Sequence, residues 1–198
     1  MIVLTFAHMG EAQHFIRRKH TQPVDFFFDG VYRTDDEMLV ITREGLQATT
    51  ERVSAVCTYF RSRISQVINF GIAGSLDEQL ELNQIYGIRY VFLEINGECF
   101  ERKFKTANSR AKKDCVTASK RVLNDHCAEK LSGFAHIVDR ELWAIASVCK
   151  LFRIPFQAYK LISDRAGNST STAEVKEKSE LFSKHLFDFY KKLQLSQK

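Results

Sequence analysis

The sequence predicts an α/β fold: one three-layer α/β/α sandwich on a central mixed, largely parallel twisted sheet. Three observations predict it. Short β-rich apolar runs alternate with amphipathic stretches of helical period along the chain. At 198 residues, 44% of them hydrophobic, the chain can bury a sizeable core without disulfides or metals. No internal repeat, low-complexity tract or linker divides it, so residues 1–198 read as a single domain.

The elements follow in order. Residues 2–7 are a short apolar run that reads as a buried strand, broken at Gly10. Over residues 11–19, Ala12, Phe15 and Ile16 fall at helical spacing with charge opposite. Phe26–Phe28 and Met38–Ile41 are two β-like runs around Asp29-Gly30, a turn signal of the hairpin kind. Residues 47–63 carry Val53, Val56, Cys57 and Phe60 at helical period, ahead of a strand at 66–70 and a glycine-rich turn, Gly71-Ile72-Ala73-Gly74. Tyr86–Ile95 is the longest β-rich run; a basic loop separates it from a strand at Asp114–Thr117. Residues 119–131 read as helix, Phe134–Val138 as strand, and Glu141–Phe152 as a strongly apolar helix stopped by Pro155. Phe156–Ile162 is the last strand. From about Ala173 to Leu195, Val175, Leu181, Phe182, Leu186, Phe189 and Tyr190 form the stripe of a terminal helix.

Composition excludes several classes. Charged residues make up 27%, with only 9 Gly and 2 Pro, which argues against disorder and against a loop-rich secreted scaffold. The five cysteines are scattered and form no C-x-x-C, as expected of a reduced cytoplasmic protein. The first residues have no basic stretch ahead of an apolar one, so no signal peptide is read there. No window approaches the roughly 20 apolar residues that span a bilayer. The histidines show no metal-ligand spacing, and neither a metal nor a redox cofactor is expected. The net charge of +5 is within what solubility permits. Arg102 to Arg121 is the densest basic stretch, yet solvated loop and helix faces explain it more simply than nucleic-acid binding.

In such a fold, ligands gather at the carboxyl ends of strands. Glu11, Glu141 and Asp164 each follow a predicted strand, and the glycine-rich turn follows another. Taken singly, each has an ordinary explanation: a first-turn glutamate favoured by the helix dipole, a turn aspartate, a tight Gly-x-x-Gly turn. Glu141 is harder to dismiss, because it opens a helix that is otherwise nearly all apolar. The coincidence of four such features is the signal for one cleft.

Three stretches resemble the purine nucleoside phosphorylase and nucleosidase superfamily, especially its 5'-methylthioadenosine/S-adenosylhomocysteine nucleosidases. They are Val67-Ile68-Asn69-Phe70-Gly71-Ile72-Ala73-Gly74-Ser75-Leu76, then Val138-Asp139-Arg140-Glu141-Leu142-Trp143-Ala144-Ile145-Ala146, and Ile154-Pro155-Phe156 running on to Ile162-Ser163-Asp164. Met9-Gly10-Glu11-Ala12 is similar to the family's opening motif. The resemblance implies N-glycosidic hydrolysis that releases adenine from methylthioadenosine, S-adenosylhomocysteine or aminodeoxyfutalosine. It assigns Asp164 as general acid at N7 of the purine, Glu141 to the ribose hydroxyls and Glu11 to the attacking water. It also implies a substrate-binding wall of Ile72, Ala73, Gly74, Val122, Leu123, Arg140 and Ser163, and a homodimer. An acid working near neutral pH needs a raised pKa, which burial at a strand end could provide.

Departures from the family pattern bear on the substrate. Related phosphorylases hold phosphate with an arginine and a serine where this chain has Asn69 and Ile72. With no cation expected to meet an inorganic anion, water is the expected nucleophile. The family's methionine before the ribose glutamate is Arg140 here, and its base-stacking phenylalanine falls at Val122. A larger or charged 5' group, as in aminodeoxyfutalosine, is therefore a candidate. The alternatives are a phosphorylase, or a non-catalytic relative that binds a nucleoside or nucleic acid.

Overall fold

A computed structural model describes residues 1–167 and 177–195. Its strands are β1 (Ile2–Phe6), β2 (Gln22–Pro23), β3 (Val31–Arg33), β4 (Glu37–Ile41), β5 (Gln66–Ser75), β6 (Ile85–Ile95), β7 (Glu98–Lys105), β8 (Lys113–Ala118), β9 (Ile137–Asp139) and β10 (Phe156–Arg165). Its α-helices are α1 (Met9–Arg18), α2 (Leu46–Phe60), α3 (Asp125–Ser132), α4 (Leu142–Phe152) and α5 (Ser179–Leu195), with a 3-10 turn at Arg61–Arg63. No helix among the described residues is long and apolar enough to cross a membrane.

The strands form one sheet in the order β10-β6-β8-β9-β5-β1-β4-β3-β2, with β7 added to β6. A further pairing of β10 with β5 closes β5, β10, β6, β8 and β9 into a ring. Among the described residues five strand pairings are parallel and five antiparallel, with the longest ladder, β10–β5, parallel, so the sheet is mixed. The antiparallel pairs are the hairpins β2–β3, β3–β4 and β6–β7 and two pairings within the ring, β10–β6 and β5–β9, which local alternation of strands and helices does not encode.

Side-chain alternation along the strands splits the interior in two. Val3, Met38, Val40 and Val67 join the core under α2 and α4. Their neighbours Leu4, Leu39, Ile41 and Ile68 join the core under α1 and α5. Phe6, Phe15 and Phe70 fill the centre of the second core, with Phe6 and Phe15 edge to face at 4.8 Å. Burying aromatics of this size stabilises by roughly 25 cal/mol per Å² of apolar area.

Long-range packing overrode several local expectations. Phe26–Phe28 are not a strand, and the hairpin is β3–β4 instead. Phe26 meets Tyr59 of α2 edge to face and stacks on Phe60, and the Arg52 guanidinium lies over the Phe28 ring. Arg52 also donates to the Asp29 and Ile41 carbonyls at 2.8 and 2.9 Å, so the aromatic run is bound to a helix rather than to a sheet. The expected basic loop before Asp114 contains β7, paired antiparallel to β6. Helix α3 begins at Asp125, where the Asn124 side chain caps the Cys127 N–H; residues 119–124 are not helical. Gly71–Gly74 is not a turn, for β5 runs through it to Ser75. In α5, Phe182, Leu186 and Tyr190 are buried but Leu181 is 47% exposed, one position off the stripe. Val175 lies outside the described residues.

Candidate active site

The site is assembled at strand ends. Strand β5 carries Gly74 between two partners, Asp164 of β10 on one side and Val138 of β9 on the other. Two strand spacings put these flanking backbones about 10 Å apart, close to the length of a nucleoside. A bulge in β10 falls at Ser163, between the pairs Ile162–Ala73 and Asp164–Gly74. Bulges re-aim side chains, and this one presents Asp164 to the cleft. The Ser163 hydroxyl donates to Asp164 Oδ1 at 2.5 Å.

Glu11 lies in the first turn of α1, directly after β1. Its Oε2 accepts from the Ala7 and His8 N–H groups at 2.8 and 3.1 Å, and its Oε1 from the Ile72 N–H at 2.9 Å. The first two bonds belong to the start of the helix, and the third ties helix to strand. Helix α5 clamps the arrangement from behind: Ser183 donates to the Glu11 carbonyl and accepts from the His14 N–H. A Cβ on Gly71 would sit 3.1 Å from Glu11 Oε1 and 3.5 Å from Lys160 Nζ. This glycine is needed for close approach, not for a turn.

Glu141 immediately precedes α4 and is 6% exposed. Its Oε1 accepts from the Gly45 N–H at 2.9 Å. Burial first, and the charge of Asp139 second, push its carboxyl up to about 8, while Lys160 and the Gly45 N–H pull it back and Glu11 adds a further upward push. Below that pH the buried group is neutral, able both to donate and to accept a hydrogen bond.

Beneath it lies a buried ion pair, Lys160 Nζ to Asp139 Oδ2 at 2.7 Å. Asp139 also accepts from the Leu142 N–H at 2.9 Å and the Thr117 hydroxyl at 2.7 Å, while Thr117 Oγ1 accepts from the Trp143 N–H at 2.8 Å. The first turn of α4 is thus capped by side chains of β8 and β9, which sets where Glu141 points. Desolvation opposes the charge on Lys160, but Asp139 together with Cys115 and Glu141 outweighs it and raises the pKa of the ammonium.

One cleft is lined by Glu11, Glu141 and Asp164, and by Ile72, Ala73, Gly74, Val122, Arg140 and Ser163. Leu123 is not among the lining residues and is 53% exposed. Successive side chains of a non-helical segment point to opposite sides, so Val122 turns in and Leu123 out. Sequence reading missed Asp139 and Lys160, although a lone lysine within Phe156–Ile162 signals a buried partner. It placed Arg140 beside the sugar and expected no cation to meet an inorganic anion; Lys120 and Arg121, which it did not place at the site, line the cleft with Arg140, His8 and Glu44. Among the described residues no group of three or more His, Cys, Asp or Glu side chains is arranged to hold a metal ion.

No protein-family model matches the sequence, and no curated protein matches it. Solved structures do. A Helicobacter pylori 5'-methylthioadenosine/S-adenosylhomocysteine nucleosidase mutant with 5'-methylthioadenosine in its active site is similar with a TM-score of 0.82 at 16% identity, over 98% of each chain. The chain has the nucleosidase fold. A Helicobacter pylori futalosine hydrolase mutant gives 0.82 at 15% identity over 96% of each chain. The Streptococcus pneumoniae nucleosidase, with a transition-state inhibitor, gives 0.81 at 14% identity over 94% of this chain and 95% of that one. Within the nucleosidase fold, the cleft described above stands at the carboxyl ends of β1, β9 and β10.

Proposed function

We propose that this chain hydrolyses the N-glycosidic bond of an adenine nucleoside, with 5'-methylthioadenosine, S-adenosylhomocysteine and aminodeoxyfutalosine as candidate substrates. One observation carries the reading: Glu11, Glu141 and Asp164, far apart in sequence, line one cleft whose floor spans about a nucleoside's length. The likeness to nucleosidase structures supports the same reading.

The chemistry follows from the placement. Water attacks the anomeric carbon as the carbon–nitrogen bond breaks, and the bonding pair leaves with the purine. Glu11 accepts the proton of that water. Asp164 donates to N7, so the base departs neutral. Glu141 holds the ribose hydroxyls, and the Glu11 carboxylate in a partly dry cleft favours the oxocarbenium character that builds on the sugar. Ser163 orients Asp164, and the three N–H donors on Glu11 hold its carboxylate in place.

Purified protein should release adenine from at least one of the three nucleosides, read by mass spectrometry with and without phosphate. Asp164→Asn and Glu11→Gln should each slow turnover by about 10² to 10⁴ with the circular dichroism spectrum unchanged. Absence of adenine from all three substrates across pH 5–9 would refute the proposal. A phosphorylase is the second reading, favoured by the cations Lys120, Arg121 and Arg140 on the cleft wall; it predicts phosphate-dependent turnover and a sugar 1-phosphate product. The nucleosidase reading expects the two helix pairs to be the outer layers of a three-layer sandwich, and a cytoplasmic homodimer, whose mass sedimentation velocity would report.

A further inference from the structure

The rim of the cleft gathers more positive charge than the carboxylate it surrounds. Arg140 Nη1 donates to Glu44 Oε1 at 2.7 Å, and Arg121 Nη2 approaches the same oxygen at 3.6 Å. His8 Nε2 stands 3.8 Å from the other oxygen, Oε2. Lys120 lines the same wall. One carboxylate thus sits among two guanidiniums and an imidazole. Arg140 Nε is buried with no hydrogen-bond partner, although a guanidinium normally presents its donors as a fork. The Arg140 and Arg121 side chains are 29% and 37% exposed, desolvated enough to bind strongly and open enough to be reached.

The position of the rim says which part of a substrate it would meet. Arg140 follows β9, and Glu44 precedes the Gly45 whose N–H holds Glu141. Asp164 stands on the opposite flank of Gly74. With the purine at Asp164 and the ribose at Glu141, the rim faces the sugar side. A nucleophile would have to approach beside Glu11, whose carboxylate would repel a phosphate dianion, so the cations are placed for a substituent rather than for inorganic phosphate.

We propose that this rim is a subsite for an anionic group, a carboxylate or a phosphate, carried on the sugar side of the nucleoside. The incoming oxyanion displaces Glu44 from Arg140 and takes both its fork and the Arg121 charge. This inference rests on the nucleoside reading above.

The test compares matched ligands: 5'-carboxymethylthio-5'-deoxyadenosine against its neutral carbamoylmethyl counterpart, and adenosine 5'-monophosphate against adenosine. Dissociation constants come from calorimetry and kcat/KM from adenine release. The anionic member of at least one pair should be favoured about tenfold or more, the worth of one charge-assisted hydrogen bond. The pair with the larger ratio identifies carboxylate or phosphate. That ratio should collapse in Arg140→Met, survive in part in Arg140→Lys, rise in Glu44→Gln and fall with added salt. Ratios near one in the wild type, or a ratio that Arg140→Met leaves unchanged, overturn the subsite. Acceleration of neutral-substrate cleavage by inorganic phosphate would overturn it too, by assigning the cations to the nucleophile. Tighter anion binding without turnover would uphold the subsite while refuting hydrolysis, and equal turnover of both members would do the reverse.

Discussion

Replacing Lys160 by methionine removes one half of a buried ion pair and keeps most of its volume. The ammonium is 2% exposed and stands 2.7 Å from Asp139 Oδ2. At an effective dielectric near 20, two charges at this distance attract by about 6 kcal/mol. Desolvation of both groups takes back much of that, and truncating one partner of such a pair typically destabilises by about 3–5 kcal/mol. Asp139 keeps the Leu142 N–H and the Thr117 hydroxyl as donors, so the lower end, about 3 kcal/mol, is expected. The assay is urea unfolding followed by circular dichroism and by the fluorescence of Trp143, the single tryptophan, which neighbours the network in sequence and space. Adding Asp139→Asn in the same chain removes the stranded charge and should recover most of the loss. Because Lys160 also pulls the Glu141 carboxyl down, Lys160→Met should raise the pKa of Glu141 further. A loss below about 1 kcal/mol, or a double variant no more stable than the single one, would refute the reasoning.

Two further expectations concern the same cleft, and a third the packing of α5. The folded-state pKa of Glu141 is raised from 4.5 to about 8. For a carboxyl raised on folding, stability is fully present below the unfolded pKa and falls as pH rises toward the folded one. Glu141→Gln keeps the acceptor for Gly45 and cannot ionise; it should therefore unfold at higher urea than wild type at pH 8.5 and match it near pH 4. Equal midpoints at both pH values would count against that electrostatic account. Gly71→Ala would press a methyl against Glu11 Oε1 and reduce activity far more than stability, as kinetics and thermal melting on the same sample would show. Tyr190→Phe should loosen α5 by about 1–2 kcal/mol, because its hydroxyl bonds the buried Glu37 that Lys19 also pairs with; an unchanged melting temperature would contradict this.

Much of the fold was legible in the chain because the signals were local. The apolar runs at β1, β5, β6 and β10 and the helical stripes of α1, α2 and α4 are periodicities of neighbouring residues, and burial follows them. Glu11, Glu141 and Asp164 could be picked out because each follows a predicted strand, although β10 runs on to Arg165 and carries Asp164 within it. The positions of Asp139 and Lys160 were visible, but not their meaning, since a pair 21 residues apart is joined only when β9 and β10 flank the same strand. Phe26–Phe28 and Gly71–Gly74 misled for the same reason: rings seeking a helix, and a strand passing under a carboxylate, are contacts between distant segments.

Residue order by itself determined the main strands and helices, β1, β5, β6, β10, α1, α2 and α4, and the carboxylates near strand ends, because backbone sterics and hydrophobic period act over a few residues. Only the tertiary structure decided that the sheet closes on itself, that Lys160 neutralises Asp139, and that Arg121 and Arg140 converge on Glu44. Charge, burial and distance between remote groups are set by how the strands pair, and no short stretch of sequence contains that.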